Sequence, residues 1–236
     1  MTGPPSFASF GGAIEFIFTP QESNVTGGNK VGGFDKTLEL VVGHLEVTFL
    51  ALALALVIAL PIGLYLGHRG KGELLAVGIG NAGRAIPELA VIALVATLIG
   101  VGMRNVAPAL ALLGIAPIIV NAYVGVRQVD PAAVDAARGM GMSELGIIRR
   151  VELPLALPTV MGGVRSAAIV IIATATIAPL AGVETLGDLI LNRNVYGESG
   201  LLAGALLVAL LALALEGLLA LLQRRLTSDG LKLKTV

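Results

Sequence analysis

Long apolar runs, rather than period-2 alternation or a narrow 3.6-residue stripe, dominate this chain. Val47 to Leu66 contains no charged residue, with Pro61 placed to bend it near its end. That is the length a helix needs to cross a bilayer, about 20 residues. Asn105 to Val126 is a second uncharged run, interrupted by prolines. Leu155 to Val183 is broken only by Arg165, and Leu201 to Leu222 only by Glu216. Leu74 to Met103 would be about 45 Å long as a straight helix, yet it carries Arg84, Pro87 and Glu88 in its middle. A proline there withdraws a backbone donor, so the pattern predicts one spanning element with a break near Pro87. The result is an all-α chain with five transmembrane helices.

Composition agrees with this reading. Of 236 residues 56% are hydrophobic and 14% charged, and the mean hydropathy is +0.89. An average globular protein is about one-quarter charged, so the chain is expected to reside in a membrane. The formal net charge is zero, which implies no attraction to nucleic acid. There is no cysteine and there are two histidines, His44 and His68, so neither a thiolate site nor a metal centre is expected. The two histidines stand at the ends of the first span, where interfacial, solvated rings are expected. No basic stretch followed by an apolar run and a small-residue cleavage site opens the chain, so targeting falls to the first span. Arg69, Lys71, Arg127, Arg138, Arg149, Arg150, Arg224, Arg225, Lys232 and Lys234 lie on one side of the membrane; Lys30, Lys36, Arg104 and Arg193 lie on the other. The richer side is cytoplasmic by the positive-inside rule, which puts the N-terminus outside and the C-terminus inside.

Residues 1–36 form an extracytoplasmic segment rich in Gly, Ser, Thr and Pro. Phe7, Phe10, Phe16 and Phe18 suggest a piece lying at the outer interface; a disordered tail is the alternative. Residues 37–225 make up the transmembrane part and 226–236 a cytoplasmic tail.

One loop, residues 127–154, carries more local information than the others. Asp130 followed by Pro131 is a helix start, an acceptor at the N-cap and a pre-set φ at the first turn. Ala132, Ala133, Ala136 and Ala137 make that helix slim. Gly139 and Gly141 are expected to end it in a tight turn. Ser143 can cap a second helix from Glu144 to Leu153, expected to stop at Pro154. A helix, a sharp turn and a helix between two spans suit docking into a partner's cleft.

The same segment resembles the coupling loop of ABC importer permeases, whose signature is E-A-A, three residues, G, nine residues, I-x-L-P. Here Asp135, Ala136 and Ala137 are followed by Gly141 and then by Val151-Glu152-Leu153-Pro154, with every spacing kept. The departures are Asp for Glu at 135 and Val for Ile at 151. His44-Leu45, Arg84-Ala85-Ile86-Pro87, Val129-Asp130-Pro131, Gly163-Val164-Arg165-Ser166-Ala167, Ala173-Thr174-Ala175-Thr176 and Gly187-Asp188-Leu189-Ile190 are similar to one branch, the osmoprotectant importers. Those take up glycine betaine, choline, carnitine, proline betaine or related compounds. The similarity covers about residues 37–225. It implies a type I importer permease fold in the bacterial cytoplasmic membrane, without enzymatic activity or a cofactor of its own. ATP would be bound by a cytoplasmic nucleotide-binding subunit dimer gripping the helix around Asp135 to Gly139. A separate extracytoplasmic substrate-binding protein would deliver the solute, since no fused binding domain is expected after the last span. A second permease chain, the same or related, would complete the pathway. The loop is common to many substrates, so a permease for another small solute, such as an amino acid, stays open. A passive channel or an assembly subunit would have no use for such a loop.

Gly78-Ile79-Gly80-Asn81-Ala82-Gly83 fits a dinucleotide fingerprint, but that motif needs a preceding strand, and small residues inside an apolar span serve close helix packing. Four ionisable residues lie within the spans: Arg84 and Arg165 about 15 Å from the cytoplasmic boundary, Glu88 about 20 Å and Glu216 about 10 Å. They form either a charge-compensated network that fixes packing or a lining for the inner end of the pathway. Quaternary ammonium solutes favour aromatic cages, and only Phe49, Tyr65 and Tyr123 fall in or near spans. Selectivity is therefore expected mainly in the binding protein.

Overall fold

The computed structural model describes residues 9–23, 25, 28–70, 72–74, 78–80 and 87–227. Arg84, Phe7, Lys71, Lys232, Lys234 and the second half of the glycine motif at 78–83 lie outside them. In chain order the elements are α1 (Phe10–Phe18), β1 (Pro20–Glu22), β2 (Lys30–Gly32), α2 (Phe34–Arg69), α3 (Glu88–Ile99), α4 (Met103–Arg127), α5 (Pro131–Gly139), α6 (Glu144–Ile147), a wide π turn (Ile148–Glu152), α7 (Leu153–Thr174), a 3₁₀ segment (Ala175–Ala181), α8 (Gly187–Leu191) and α9 (Arg193–Leu226).

Among the described residues, four stretches are long and apolar enough to cross a membrane: Phe34–Arg69, Met103–Arg127, Glu144–Ala181 and Arg193–Leu226. They extend beyond the apolar runs because polar first and last turns are solvated without ending a helix. The last is broken at Gly197, whose φ of 68° and ψ of −173° are not helical. The region expected as the fifth span contributes α3, which begins directly after Pro87 and has 12 residues. At 1.5 Å per residue α3 measures about 18 Å, short of a hydrocarbon core of about 30 Å.

The chain divides into two compact units. The first comprises Met1–Leu50, Leu89–Ala107 and Ile172–Leu213. Its N-terminal segment is folded: Ser9 caps α1 by accepting from the Gly12 N–H at 3.0 Å, and β1 pairs antiparallel with β2, Pro20 opposite Gly32 and Glu22 opposite Lys30. This corrects the disordered-tail alternative for the described residues. Phe16 is fully buried with Ala13, Leu40, Leu186, Leu189 and Ala203, and its ring meets Tyr196 edge-on at 6.3 Å. Burying one such side chain is worth about 1.5–3 kcal/mol, enough to anchor a short helix. Phe10 and Phe18 stay exposed. The small hairpin is the one departure from an all-α chain among the described residues.

The second unit comprises Ala51–Glu88, Pro108–Ile171 and Ala214–Val236. Within it α2 and α4 touch backbone to backbone. A Cβ on Gly63 would stand 2.6 Å from the Ala122 Cβ and 2.9 Å from the Ile119 carbonyl, and one on Gly67 would stand 2.7 Å from the Val126 Cβ. Two glycines four residues apart are a small-residue packing face of the kind membrane helices use. Gly163 does the same for α7 against α4, its missing Cβ 2.6 Å from that of Asn121. Leu64, Ala122, Val126, Val129, Ala156 and Val160 fill the contact.

Candidate coupling site

The loop between α4 and α7 belongs wholly to the second unit. Asp130 caps α5 as its residue type dictates, its Oδ1 accepting from the Ala132 N–H at 2.9 Å, with Pro131 in the first turn. At the other end Met142 N–H donates to the Ala137 carbonyl at 3.2 Å and Gly141 N–H to that of Arg138 at 3.0 Å. This pair of bonds defines a Schellman stop, and it requires the left-handed φ of +81° found at Gly141. Gly139 is different. It is the last helical residue and has no positive φ, so of the two glycines only Gly141 makes the turn.

Beyond the turn, the Ser143 hydroxyl accepts from the Gly146 N–H at 3.2 Å and starts α6. The expected stop at Pro154 does not occur. The backbone runs through Ile148–Glu152 as a π turn, in which Leu153 N–H bonds the Ile148 carbonyl, and continues unbroken into α7. A proline within an α-helix clashes with the carbonyl four residues before it. A widened turn just ahead of Pro154 relieves that clash, so Val151, Leu153 and Pro154 lie at the junction between loop and span.

Two faces of α5 follow. Ala137 is buried and Val134 packs on the core of the unit. Pro131, Ala132, Asp135, Ala136, Gly139 and Met140 are exposed. The Asp135 side chain is 74% exposed, and its only ion pair among the described residues is a loose one at 3.4 Å with Arg138. A slim exposed face with a solvated carboxylate and the protruding Met140 is a surface a partner can grip without meeting bulk.

A polar chain unforeseen in the sequence ties this loop to the end of α2. Arg138 donates to Glu144 from Nε at 3.2 Å and from Nη2 at 3.1 Å. Glu144 in turn faces His68 Nε2 at 2.8 Å, and His68 Nδ1 faces Glu152 at 2.8 Å. The Glu144 carboxylate pushes the Arg138 pKa further up. His68 and Glu152 are both buried, each side chain 5% exposed. His44 is fully buried and donates from Nε2 to the Ile172 carbonyl at 2.9 Å. Both histidines thus differ from the solvated rings expected of them, because each finds a backbone or carboxylate acceptor inside its own unit. Residues 76 and 84 positions apart leave no local spacing from which the His68 contacts could be read.

Of the four intramembrane charges, Arg165 and Glu216 meet. Arg165 donates to Glu216 Oε1 from Nε at 2.9 Å and also from Nη2, while Nη1 bonds Gln223 Oε1 at 3.0 Å. Gln223 reaches back to the Pro158 carbonyl at 3.4 Å. Glu88 stands exposed as the first residue of α3 and forms no ion pair with another described residue.

Residues 55–228 match the family described as "Binding-protein-dependent transport system inner membrane component". The choline transport system permease protein OpuBB of Bacillus subtilis (strain 168) is 35% identical over 190 residues, covering 80% of this chain and 88% of that protein. The carnitine transport permease protein OpuCB of Listeria monocytogenes is 35% identical, covering 80% and 87%. The osmoprotectant import permease protein OsmY of Salmonella typhimurium (strain LT2) is 36% identical, covering 78% and 79%. Among solved structures, inward-facing conformations of the MetNI methionine ABC transporter superpose with a TM-score of 0.71 at 20% identity, over 83% of this chain and 98% of that one.

Proposed function

The chain belongs to the family of binding-protein-dependent transport system inner membrane components, and from that premise we propose that it forms the path of an ATP-driven importer for a small osmoprotectant. It is a multi-pass membrane permease component and not an enzyme. An ATP-binding subunit and a substrate-binding protein are its partners, as the family description implies. The substrate class rests on relatives named for choline, carnitine and osmoprotectant transport that span most of their length with this chain. Glycine betaine, choline and carnitine are the solutes to test first.

The observation that carries the mechanism is α5, a helix capped by Asp130, stopped by Gly141 and presenting Asp135, Ala136, Gly139 and Met140 outward. ATP-driven closure of the cytoplasmic subunit dimer pushes this helix, and the π junction at Ile148–Glu152 passes the movement into α7. In this reading α3, with the residues that precede Pro87, completes a fifth crossing. The N-terminus lies outside and residues 127–154 lie inside, and two permease chains, the same or related, enclose one pathway. Selectivity belongs mainly to the binding protein. Tyr65 is occupied by Arg69, whose guanidinium lies 5.4 Å from the ring centroid, and Tyr123 is buried, so neither offers a free wall for a quaternary ammonium group.

The test is ATP hydrolysis by the complex in proteoliposomes, with its ATPase and binding protein, in the presence of each solute. Stimulation by one of the three that is lost in a Gly141→Val variant supports the proposal. Hydrolysis indifferent to all three moves the substrate to another class, such as an amino acid.

A further inference from the structure

We infer that His68 is the positioning residue that transmits movement of the coupling helix to α2. The inference rests on the coupling reading of α5 and deepens it: two spans, not one, receive the stroke. α7 is joined to the loop through the backbone. α2 is separated from it along the chain by α3 and α4 and needs a side-chain link.

The link is continuous and lies within one unit. Arg138, on α5, holds Glu144 with two N–H groups at 3.2 and 3.1 Å. Glu144 Oε2 lies 2.8 Å from His68 Nε2 and Glu152 Oε2 lies 2.8 Å from His68 Nδ1. His68 is the penultimate residue of α2, and Glu152 ends the π turn from which α7 starts. One ring therefore joins α2, α6 and the root of α7, and through Arg138 it reaches α5. Each ring nitrogen faces a carboxylate oxygen at 2.8 Å, so the ring is partnered on both sides. Burial makes the inner half of the link stiff. With His68 and Glu152 almost out of solvent, water cannot replace their bond at low cost, and Glu152 has no other side-chain hydrogen-bond partner among the described residues; the outer bond, to the 58% exposed Glu144, is the one that solvent reaches. The α2–α4 contact at Gly63 and Gly67 then carries the displacement of α2 along the unit.

The two ring nitrogens can be tested separately. The side-chain amide introduced by His68→Asn reaches only as far as Nδ1 does, keeping Glu152 partnered and breaking the link to Glu144. The longer amide introduced by His68→Gln reaches as far as Nε2, keeping the link to Glu144; Glu152→Gln beside it avoids stranding a buried charge. In the complete complex with its ATPase and binding protein, solute imported per ATP hydrolysed is the readout, since a merely structural defect lowers both rates together. His68→Asn is expected to keep hydrolysing ATP while importing roughly two- to thirtyfold less solute per ATP, the range a coupling mutation commands. The double variant His68→Gln/Glu152→Gln is expected to restore import per ATP. Unchanged import per ATP in His68→Asn overturns the inference, as does a proportional loss of hydrolysis and import in both variants. Gly141→Val in the same assay separates the two levels. If it abolishes coupling while His68→Asn does not, only the link to α2 fails; if it changes nothing, the coupling reading of α5 fails with it.

Discussion

Changing Gly141 to alanine, with Gly139→Ala as its control, separates backbone conformation from bulk in the coupling loop. At both positions a Cβ would meet nothing within 4 Å, so steric room is the same. The difference is φ. Gly141 sits at +81°, where an L-residue costs about 1–2 kcal/mol; Gly139 is helical, where alanine is better than glycine by up to about 1 kcal/mol. If the turn must be formed for the ATPase to dock, the Gly141→Ala penalty appears as a reduced fraction of competent permease. Apparent affinity then falls by at most roughly 5- to 30-fold, a tenfold change being about 1.4 kcal/mol. Gly139→Ala should leave the affinity unchanged or tighten it. The assay is equilibrium binding of the purified ATPase subunit to each variant in nanodiscs. Equal weakening by the two alanines would refute the argument, because it would mean that added volume on the docking face, not the left-handed turn, governs binding.

Four further outcomes are expected. Gly63→Leu should prevent stable folding of the second unit, read as loss of monodisperse protein after solubilisation, because even a Cβ there stands 2.6 Å from that of Ala122; a thermal transition like the parent's would contradict the close α2–α4 packing. Arg165→Gln, which strands the partly buried Glu216, should lower thermal stability more than Arg165→Gln/Glu216→Gln, by about 1–3 kcal/mol after allowance for solvent screening; wild-type uptake by the double variant would assign the pair to packing rather than to the pathway. Lys36 lies 2.7 Å from Glu184 and holds its carboxyl below the ordinary range. That stabilisation is complete above the ordinary carboxylate pKa and is lost as pH falls through the depressed folded value, so Glu184→Gln should flatten the acid limb of a melting-temperature profile, and an unchanged limb would dismiss the pair. Because the chain has no cysteine, a Val25→Cys protein should react with an impermeant thiol reagent from outside intact cells and a Met140→Cys protein only after permeabilisation; the reverse pattern would invert the topology.

What the sequence made legible was local. Asp130-Pro131 and Gly141 announce the limits of α5 because an N-cap acceptor and a left-handed residue act on their nearest neighbours. The stop expected at Pro154 fails for the same reason: the rule assumes α geometry, and a π turn one step earlier removes the clash it relies on. The close approach at Gly63 and Gly67 is not among the expectations drawn from the sequence, although two glycines four residues apart at the end of the first apolar run are the signal that could have shown it. The burial of Phe16 has no such signal, since Leu186, Leu189 and Ala203 lie far along the chain. Arg165 and Glu216 stood out as lone charges in apolar runs, yet that they pair with each other is a property of tertiary packing. The His68 link combines both difficulties, being made of ordinary polar residues whose meeting depends on how α2 and the loop come together.

In the proposed function, ATP hydrolysed by a partner moves solute through this chain by way of α5. Accumulation of labelled glycine betaine, choline or carnitine inside proteoliposomes containing the permease, its ATPase and its binding protein tests that most directly. Accumulation above the external concentration is expected, requiring ATP and stopping when α5 is uncapped and its turn broken by Asp130→Ala/Gly141→Val. Equilibration of solute without ATP, unaffected by that double variant, would contradict it and describe a passive channel instead.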